Sequence, residues 1–390
     1  MTFKKLPVHA VDTKHIAVIG GGIFGVMTSL KLAERGFHVT LFERKSDIIL
    51  GASYINQNRL HMGYHYPRSY ETAKSSFTFQ KAYRSMFSET VVDNFDHFYC
   101  VAKSGSLLSG EEYLNFCAKL GLPYSKEFPK TITLSDKIEL CIKVPEKVYD
   151  ANLLRKSLRA MLIKYDTITL LLGTNVENIV NLGNGFEIHY KTMEKPRVEK
   201  YDAIINATYG NMNALAGMAG FETKKYQYEL CEVVIAKAPW LNRTGCAVMD
   251  GPFFGILPFG FSEDYMLYDV ELSVLERSFG KIPEFEHNTG YYDKDTNKQS
   301  RFKTYIEKAK EYMLEMKNCK YLYSAYETRM VLPNRDNDDA RPTEIVYNGD
   351  GFWSVFSGKV TAAIPASEKL AEEVDRYFNN REVQNPSMPF

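Results

Sequence analysis

The sequence has no excess of charge of either sign: 48 Lys+Arg stand against 48 Asp+Glu in 390 residues, for a formal net charge of zero. That balance disfavours nucleic acid or an anionic membrane surface as the main partner. Long hydrophobic runs are also lacking. The longest apolar stretch, Ile16 to Leu30, carries four glycines and falls short of the roughly 20 residues that a membrane-spanning helix needs. Behind the basic residues of MTFKKLPVHAVDTK there is neither an apolar core nor a small-residue cleavage site, so the expected location is cytoplasmic. The six cysteines have no short paired spacing. That argues against a disulfide scaffold or a zinc site and predicts reduced packing residues. No internal repeat or low-complexity tract suggests a solenoid or a propeller.

What the chain does have is an ordinary globular composition, 45% hydrophobic and 25% charged. At about 150 residues per domain its length predicts two domains or one large composite. The first organised unit, HIAVIGGGIFGVMTSLKLAERGFHVTLFER, reads as strand, glycine turn, helix, glycine stop and strand. In that helix Ile23, Met27 and Leu30 share a face, with Val26 and Ala33 alongside, and Gly36 is the stop. The unit closes in 29 residues, His15 to Glu43, as a right-handed crossover between parallel strands does. Further along, Asp150 caps a helix carrying Leu154, Leu158 and Met161, and ITLLLG and NVENIV read as strands. Residues 226–274, rich in aromatic and β-branched side chains, read as antiparallel strands. The last segment, GFWSVFSGKVTAAIPASEKLAEEVDRYF, is a strand, a turn and a helix beginning near Thr361.

Gly20, Gly22 and Gly25 have the spacing for a tight turn, close backbone approach to a pyrophosphate, and helix–strand packing. Ile23 and Phe24 start the helix, whose N–H groups and dipole favour phosphate. Glu43, 18 residues beyond Gly25 and followed by Arg44, is placed to accept hydrogen bonds from ribose hydroxyls. A ligand-free glycine turn and a merely surface Glu43 are the bland alternatives. Spacing alone does not separate NAD from FAD, because both share the ADP half.

The stretch IAVIGGGIFGVMTSLKLAERGFHVTLFER, followed by GASYINQNRLHMGYHY, resembles the N-terminal signature of the D-amino-acid-oxidase superfamily of FAD-dependent oxidoreductases. The resemblance places Ser53, Asn58, Arg59, His61 and Gly63 at the cofactor. It continues in YDAIINATYGN, where Asn206, Ala207 and Gly210 match a strand end over the cofactor, and at Val176, a backbone contact to adenine. In FSGKVTAAIPASEKLAEEV it implies that Ser357, Gly358, Lys359, Val360 and Thr361 face the flavin ring. Two departures are Thr208-Tyr209, where Ala-Gly is frequent, and Lys359 itself, which on the bland view is a solvated helix-cap lysine. The cofactor implied is FAD.

The implied fold class is α/β: a discontinuous Rossmann-like FAD-binding domain (residues 1–95, 145–225 and 320–390) with an inserted mixed β-sheet substrate domain (96–144 and 226–319). The implied activity is hydride transfer to flavin from the C–N bond of a small amine or amino acid. Oxidation of a 2-hydroxy acid or other alcohol, a NAD-dependent dehydrogenase and a non-catalytic nucleotide-binding module are the alternatives. The partners expected are a small, carboxylate-bearing substrate and oxygen or another electron acceptor.

The resemblance also implies candidate catalytic residues. Many enzymes of that family clamp a substrate carboxylate with an arginine, whose guanidinium fork matches the two oxygens. ETRMVLP resembles the segment that carries it, which implies Arg329 as the clamp, or else Arg341. His61 is a candidate proton acceptor near neutral pH. Tyr226 and Tyr228, alternating in KYQYELCEV, and Tyr268 are candidates for the substrate wall, with core packing as the alternative for each.

Overall fold

The computed structural model describes residues 14–192, 195–285, 300–333 and 342–380. The N-terminal unit forms as the hydrophobic periodicity requires: β1 (His15–Ile19), α1 (Ile23–Glu34) and β2 (His38–Phe42), with β1 and β2 parallel. Gly36 takes φ +88°, and its N–H bonds to the carbonyl of Ala33 to end the helix.

Both β strands belong to a six-stranded sheet of order 343–349, 352–357, 203–206, β1, β2, 168–171. The first strand runs antiparallel to its neighbour and the remaining pairings are parallel. Segments far apart in the chain therefore end at one edge: Gly20, Glu43, Ala207 and Gly358 each follow the carboxyl end of a parallel strand. Open α/β sheets leave a crevice there.

One face of this sheet carries α1, the Ala151–Leu162 helix and the Ala363–Asn380 helix in a shared apolar core. Asp150 caps the second of these through Oδ1, which accepts from Asn152 N at 2.9 Å and Leu153 N at 3.0 Å. The opposite face is covered by a three-stranded antiparallel sheet of strands Asn175–Asn181, Phe186–Thr192 and Lys195–Tyr201. α1 is buried nearly all round rather than on one stripe, because the final helix lies across it and Thr28 Oγ1 bonds Ser367 Oγ at 3.1 Å.

A second, larger mixed sheet is made from strands within 96–144 and 226–280. Strand Lys320–Val331, grouped with the cofactor half in the sequence reading, instead pairs along its length with strand Tyr226–Lys237 of this sheet. All six cysteines are buried and free, and Cys100 Sγ lies 3.3 Å from Cys141 and 3.7 Å from Cys246. Helix α2 (Tyr70–Met86), absent from the sequence reading, packs beside the final turn and helix. Among the described residues no helix is long and apolar enough to cross a membrane.

Candidate active site

A single elongated cleft runs from the glycine turn to the last turn of the chain, along the sheet edge and against the larger sheet. It brings together Gly20, Gly22, Ile23, Phe24, Glu43, Arg44, Ser53, Arg59, His61, Val176, Ala207, Gly210, Arg329, Ser357, Gly358, Lys359 and Val360.

At the glycine end the geometry is tightly specified. Gly20 has φ +110°, and a Cβ there would lie 2.6 Å from the Ala207 carbonyl oxygen. A Cβ on Gly25 would lie 1.8 Å from the Gly20 oxygen, so Gly25 serves the turn from behind and does not line the cleft. On Gly22 a Cβ would meet only Ser53 Oγ, at 3.3 Å, which leaves that backbone open to a ligand. Gly22 is the N-cap of α1 and provides no side-chain cap, while Ser53 Oγ accepts from Ile23 N at 3.0 Å. Glu43 is fixed by two backbone donors, Gly21 N to Oε2 at 2.7 Å and Lys45 N to Oε1 at 2.8 Å. Each oxygen keeps acceptor capacity for a hydroxyl.

At the far end Lys359 is buried rather than solvated. Its ammonium donates to Ser75 Oγ of α2 at 3.1 Å and lies 5.8 Å from the centre of the Tyr66 ring. His61 has a buried, unpartnered Nδ1. Burial, followed by the charges of Arg59 and Lys359, holds its imidazole well below the ordinary histidine range and therefore neutral.

The larger sheet supplies the facing wall. Arg329 donates through Nε to Glu229 Oε2 at 2.7 Å, through Nη2 to the same oxygen, and through Nη1 to Tyr268 Oη at 2.9 Å. Burial opposes ionisation of Glu229, but the charge and hydrogen bonds of Arg329 outweigh it and hold the carboxyl below its usual range. The proposed clamp thus reaches the cleft with its fork already engaged. Glu327, two residues earlier on the same strand, also lines the cleft; it is buried with Oε2 unpartnered, and burial raises its carboxyl to about 8 against the opposing charges of Lys45 and Arg44. Neither Glu327 nor Lys45 was singled out by the sequence.

Several expected residues stand outside this lining, Gly63 and Asn206 among them as well as Gly25. Tyr226 and Tyr228 are buried in an apolar cluster with Met212, Met330 and Phe356 and do not line the cleft, whereas Cys231 and Val233 of the same strand do. Side chains alternate along a strand, so the tyrosines occupy the wrong parity. Asn58 is wholly buried with both amide atoms unpartnered, and Thr361 is buried behind the turn with Oγ1 unpartnered. Arg341 lies outside the described residues.

The sequence pattern of the FAD dependent oxidoreductase family DAO matches residues 15–242. The chain belongs to that family. Among curated relatives, the FAD-dependent monooxygenase FPY4 of Fusarium mangiferae is 30% identical over 205 residues, 52% of this chain and 51% of that protein. The chain thus matches about half the length of that relative. The probable FAD-dependent monooxygenase kojA of Aspergillus oryzae is 22% identical over 389 residues, 94% of this chain and 87% of its own.

Among solved structures, L-α-glycerophosphate oxidase from Mycoplasma pneumoniae with FAD bound superposes with TM-score 0.70 at 16% identity, covering 97% of both chains. Glycine oxidase from Geobacillus kaustophilus gives TM-score 0.68 at 15% identity, covering 96% of this chain and 97% of that one. At these identities the structural likeness speaks for the fold. This DAO-family protein is therefore an FAD-dependent oxidoreductase, and its glycine cradle, the glycine N-cap of α1 and doubly held Glu43 fit the dinucleotide half of that cofactor.

Proposed function

We propose that this enzyme oxidises a small amine or amino acid at the carbon bearing nitrogen. When bound, FAD supplies the hydride acceptor. The observation that carries the reading is that the cation on the facing wall is already paired and a second carboxyl group stands beside it. Arg329 is already matched by Glu229, and Glu327 adds a buried carboxyl group to the same strand face. Such a wall suits a group that donates hydrogen bonds, as an amine does, better than a second anion. A substrate carboxylate reaches Arg329 only by sharing it with Glu229. Neutral His61 in the cleft is suited to accept the proton that a substrate nitrogen gives up. Oxygen or another acceptor then completes the turnover.

The test is anaerobic mixing of the yellow holoprotein with panels of amines, amino acids and hydroxy acids. Bleaching by amines or amino acids supports the reading; bleaching by hydroxy acids alone overturns it. The names of the curated relatives favour a second reading, oxygenation, in which one atom of O₂ ends in the product. Mass analysis of product formed under ¹⁸O₂ separates the two.

A further inference from the structure

Behind the cleft wall lies a buried polar cluster centred on Glu146, a residue with no exposed side-chain surface in the connection from strand Ile138–Val144 to strand Lys147–Tyr149. Every oxygen of this carboxylate is aimed. Oε1 accepts from Tyr99 Oη at 2.6 Å and Oε2 from Met62 N at 2.7 Å. Tyr99 Oη also accepts from Arg59 Nη1 at 3.1 Å, and that nitrogen lies 3.0 Å from His65 Nδ1. Arg59, His61 and His65 line the cleft while Glu146 and Tyr99 do not, so the cluster reaches the site only through those three side chains.

The arrangement around His61 is specific. Its Nδ1 is buried, has no hydrogen-bond partner and lies 4.0 Å from Glu146 Oε1. His61 therefore meets the cleft with a part of its ring other than Nδ1. The groups facing the ring are the cations Arg59 and Lys359, the rings of His65, Tyr66 and His97, and the carboxyl of Glu146, which burial raises above its usual range against the charge of Arg59 and the hydrogen bonds from Tyr99 and Met62 N. Burial, then Arg59, holds His97 neutral, at about 3, so it supplies no countercharge. Among these groups it is the Glu146 carboxyl that brings an acceptor oxygen towards Nδ1, at 4.0 Å.

We propose that Glu146 is a positioning residue for His61: its carboxylate draws the ring proton to Nδ1 and so presents the lone pair of Nε2 to the cleft as the proton acceptor. A carboxylate only accepts hydrogen bonds, so the nitrogen facing it is favoured as the N–H. Nucleophile–base–orienter constellations commonly lie looser without substrate than with it, and 4.0 Å is within that slack. The role given to Nε2 rests on the amine reading: a substrate N–H bond breaks, an Nε2–H bond forms, and the electron pair stays on the substrate nitrogen. The tautomer does not rest on that reading.

Nitrogen-detected NMR of ¹⁵N-histidine-labelled holoprotein, with H61Q to assign the ring, reads the tautomer directly. The expected result is Nδ1–H in the wild type and a shift towards Nε2–H in E146Q. In parallel, E146Q should slow anaerobic flavin bleaching by a reducing amine at least tenfold, with E146D recovering most of the rate. An Nε2–H ring in the wild type, or an unchanged tautomer in E146Q, overturns the assignment even if amines prove to be substrates. Should E146Q not fold, Y99F is the second variant: freed of one hydrogen bond, Oε1 should hold the Nδ1–H form at least as firmly, and a shift to Nε2–H overturns the proposal. If no amine bleaches the flavin, the substrate reading fails while the tautomer result still stands.

Discussion

Glu229 and Arg329 face each other directly across neighbouring antiparallel strands, and the guanidinium closes on one carboxylate oxygen through both Nε and Nη2. Glu229 is buried and also takes Gln227 Nε2 at 2.6 Å and Arg277 Nη2 at 3.0 Å. Replacing Arg329 by methionine strands much of that charge. The expected cost is about 2 kcal/mol in urea denaturation, below the range for a fully buried pair because Arg329 keeps 32% of its side chain exposed. Glu229→Gln should do something different. It releases the fork, so KM for an amino acid should fall several-fold relative to the matching amine without a carboxylate. Equal KM changes for the two substrates would remove Arg329 from carboxylate recognition.

Glu43 braces the glycine turn, and the cofactor's ribose is the ligand group we propose for it. Because its two oxygens hold Gly21 N and Lys45 N, Glu43→Ala loses the brace of the turn and, on the proposed assignment, a ligand contact with it. FAD affinity, read by flavin fluorescence quenching on titration of the apoprotein, should weaken by roughly 10- to 100-fold, the equivalent of one or two charge-assisted hydrogen bonds. Gly21→Ala should weaken it in the same direction, since the new Cβ would lie 2.8 Å from Glu43 Oε2. Unaltered affinity in both variants would count against the ribose assignment.

How far the sequence could be read follows from how local each signal was. The glycine turn, Gly36 and the Asp150 cap are decided within a few residues, and each took the conformation that its chemistry demands. The pairing of Lys320–Val331 with Tyr226–Lys237 spans some 90 residues, and no local pattern encodes it. Helix α2 escaped detection because its buried face, Thr72, Ala73, Ser76, Gln80 and Tyr83, is small or polar and so carries little hydrophobic period. With it went the partner of Lys359. For Tyr226 and Tyr228 the strand was legible but not which of its faces meets the cleft, since a shift of one residue exchanges the two. Glu146 and Glu327 carried no motif; burial alone makes them unusual.

Glu327 gives the apoprotein a distinctive pH dependence. Its folded value of about 8 lies above the roughly 4.3 expected of an unfolded glutamate, so the folded chain binds this proton more tightly. That contribution to stability is complete below about pH 4.3, declines as the pH rises, and is lost on passing about 8. Urea midpoints should therefore fall from pH 6 to pH 9 in the wild type and fall less in Glu327→Gln. The two curves should separate progressively towards pH 9. Parallel curves would mean that Glu327 is ionised at neutral pH.

Lys359 places a buried positive charge at the end of the cleft where the resemblance puts the flavin ring. Ser75 and the Tyr66 ring hold the ammonium in place, so it is fixed before any ligand arrives. A fixed cation favours whichever cofactor state carries more negative charge, and reduction adds electrons to the flavin. Lys359→Met keeps the length and the apolar stem but removes the charge. It should lower the flavin midpoint potential by about 20–60 mV for a two-electron couple, matching roughly 1–3 kcal/mol of lost electrostatic stabilisation at an effective dielectric near 20. Equilibration with a reference dye during slow reduction measures this, and raising the salt concentration should leave the difference largely intact because the charge is buried. Ser75→Ala, which frees the ammonium without removing it, should shift the potential far less. If both variants keep the wild-type potential, Lys359 serves only to anchor the final turn to α2.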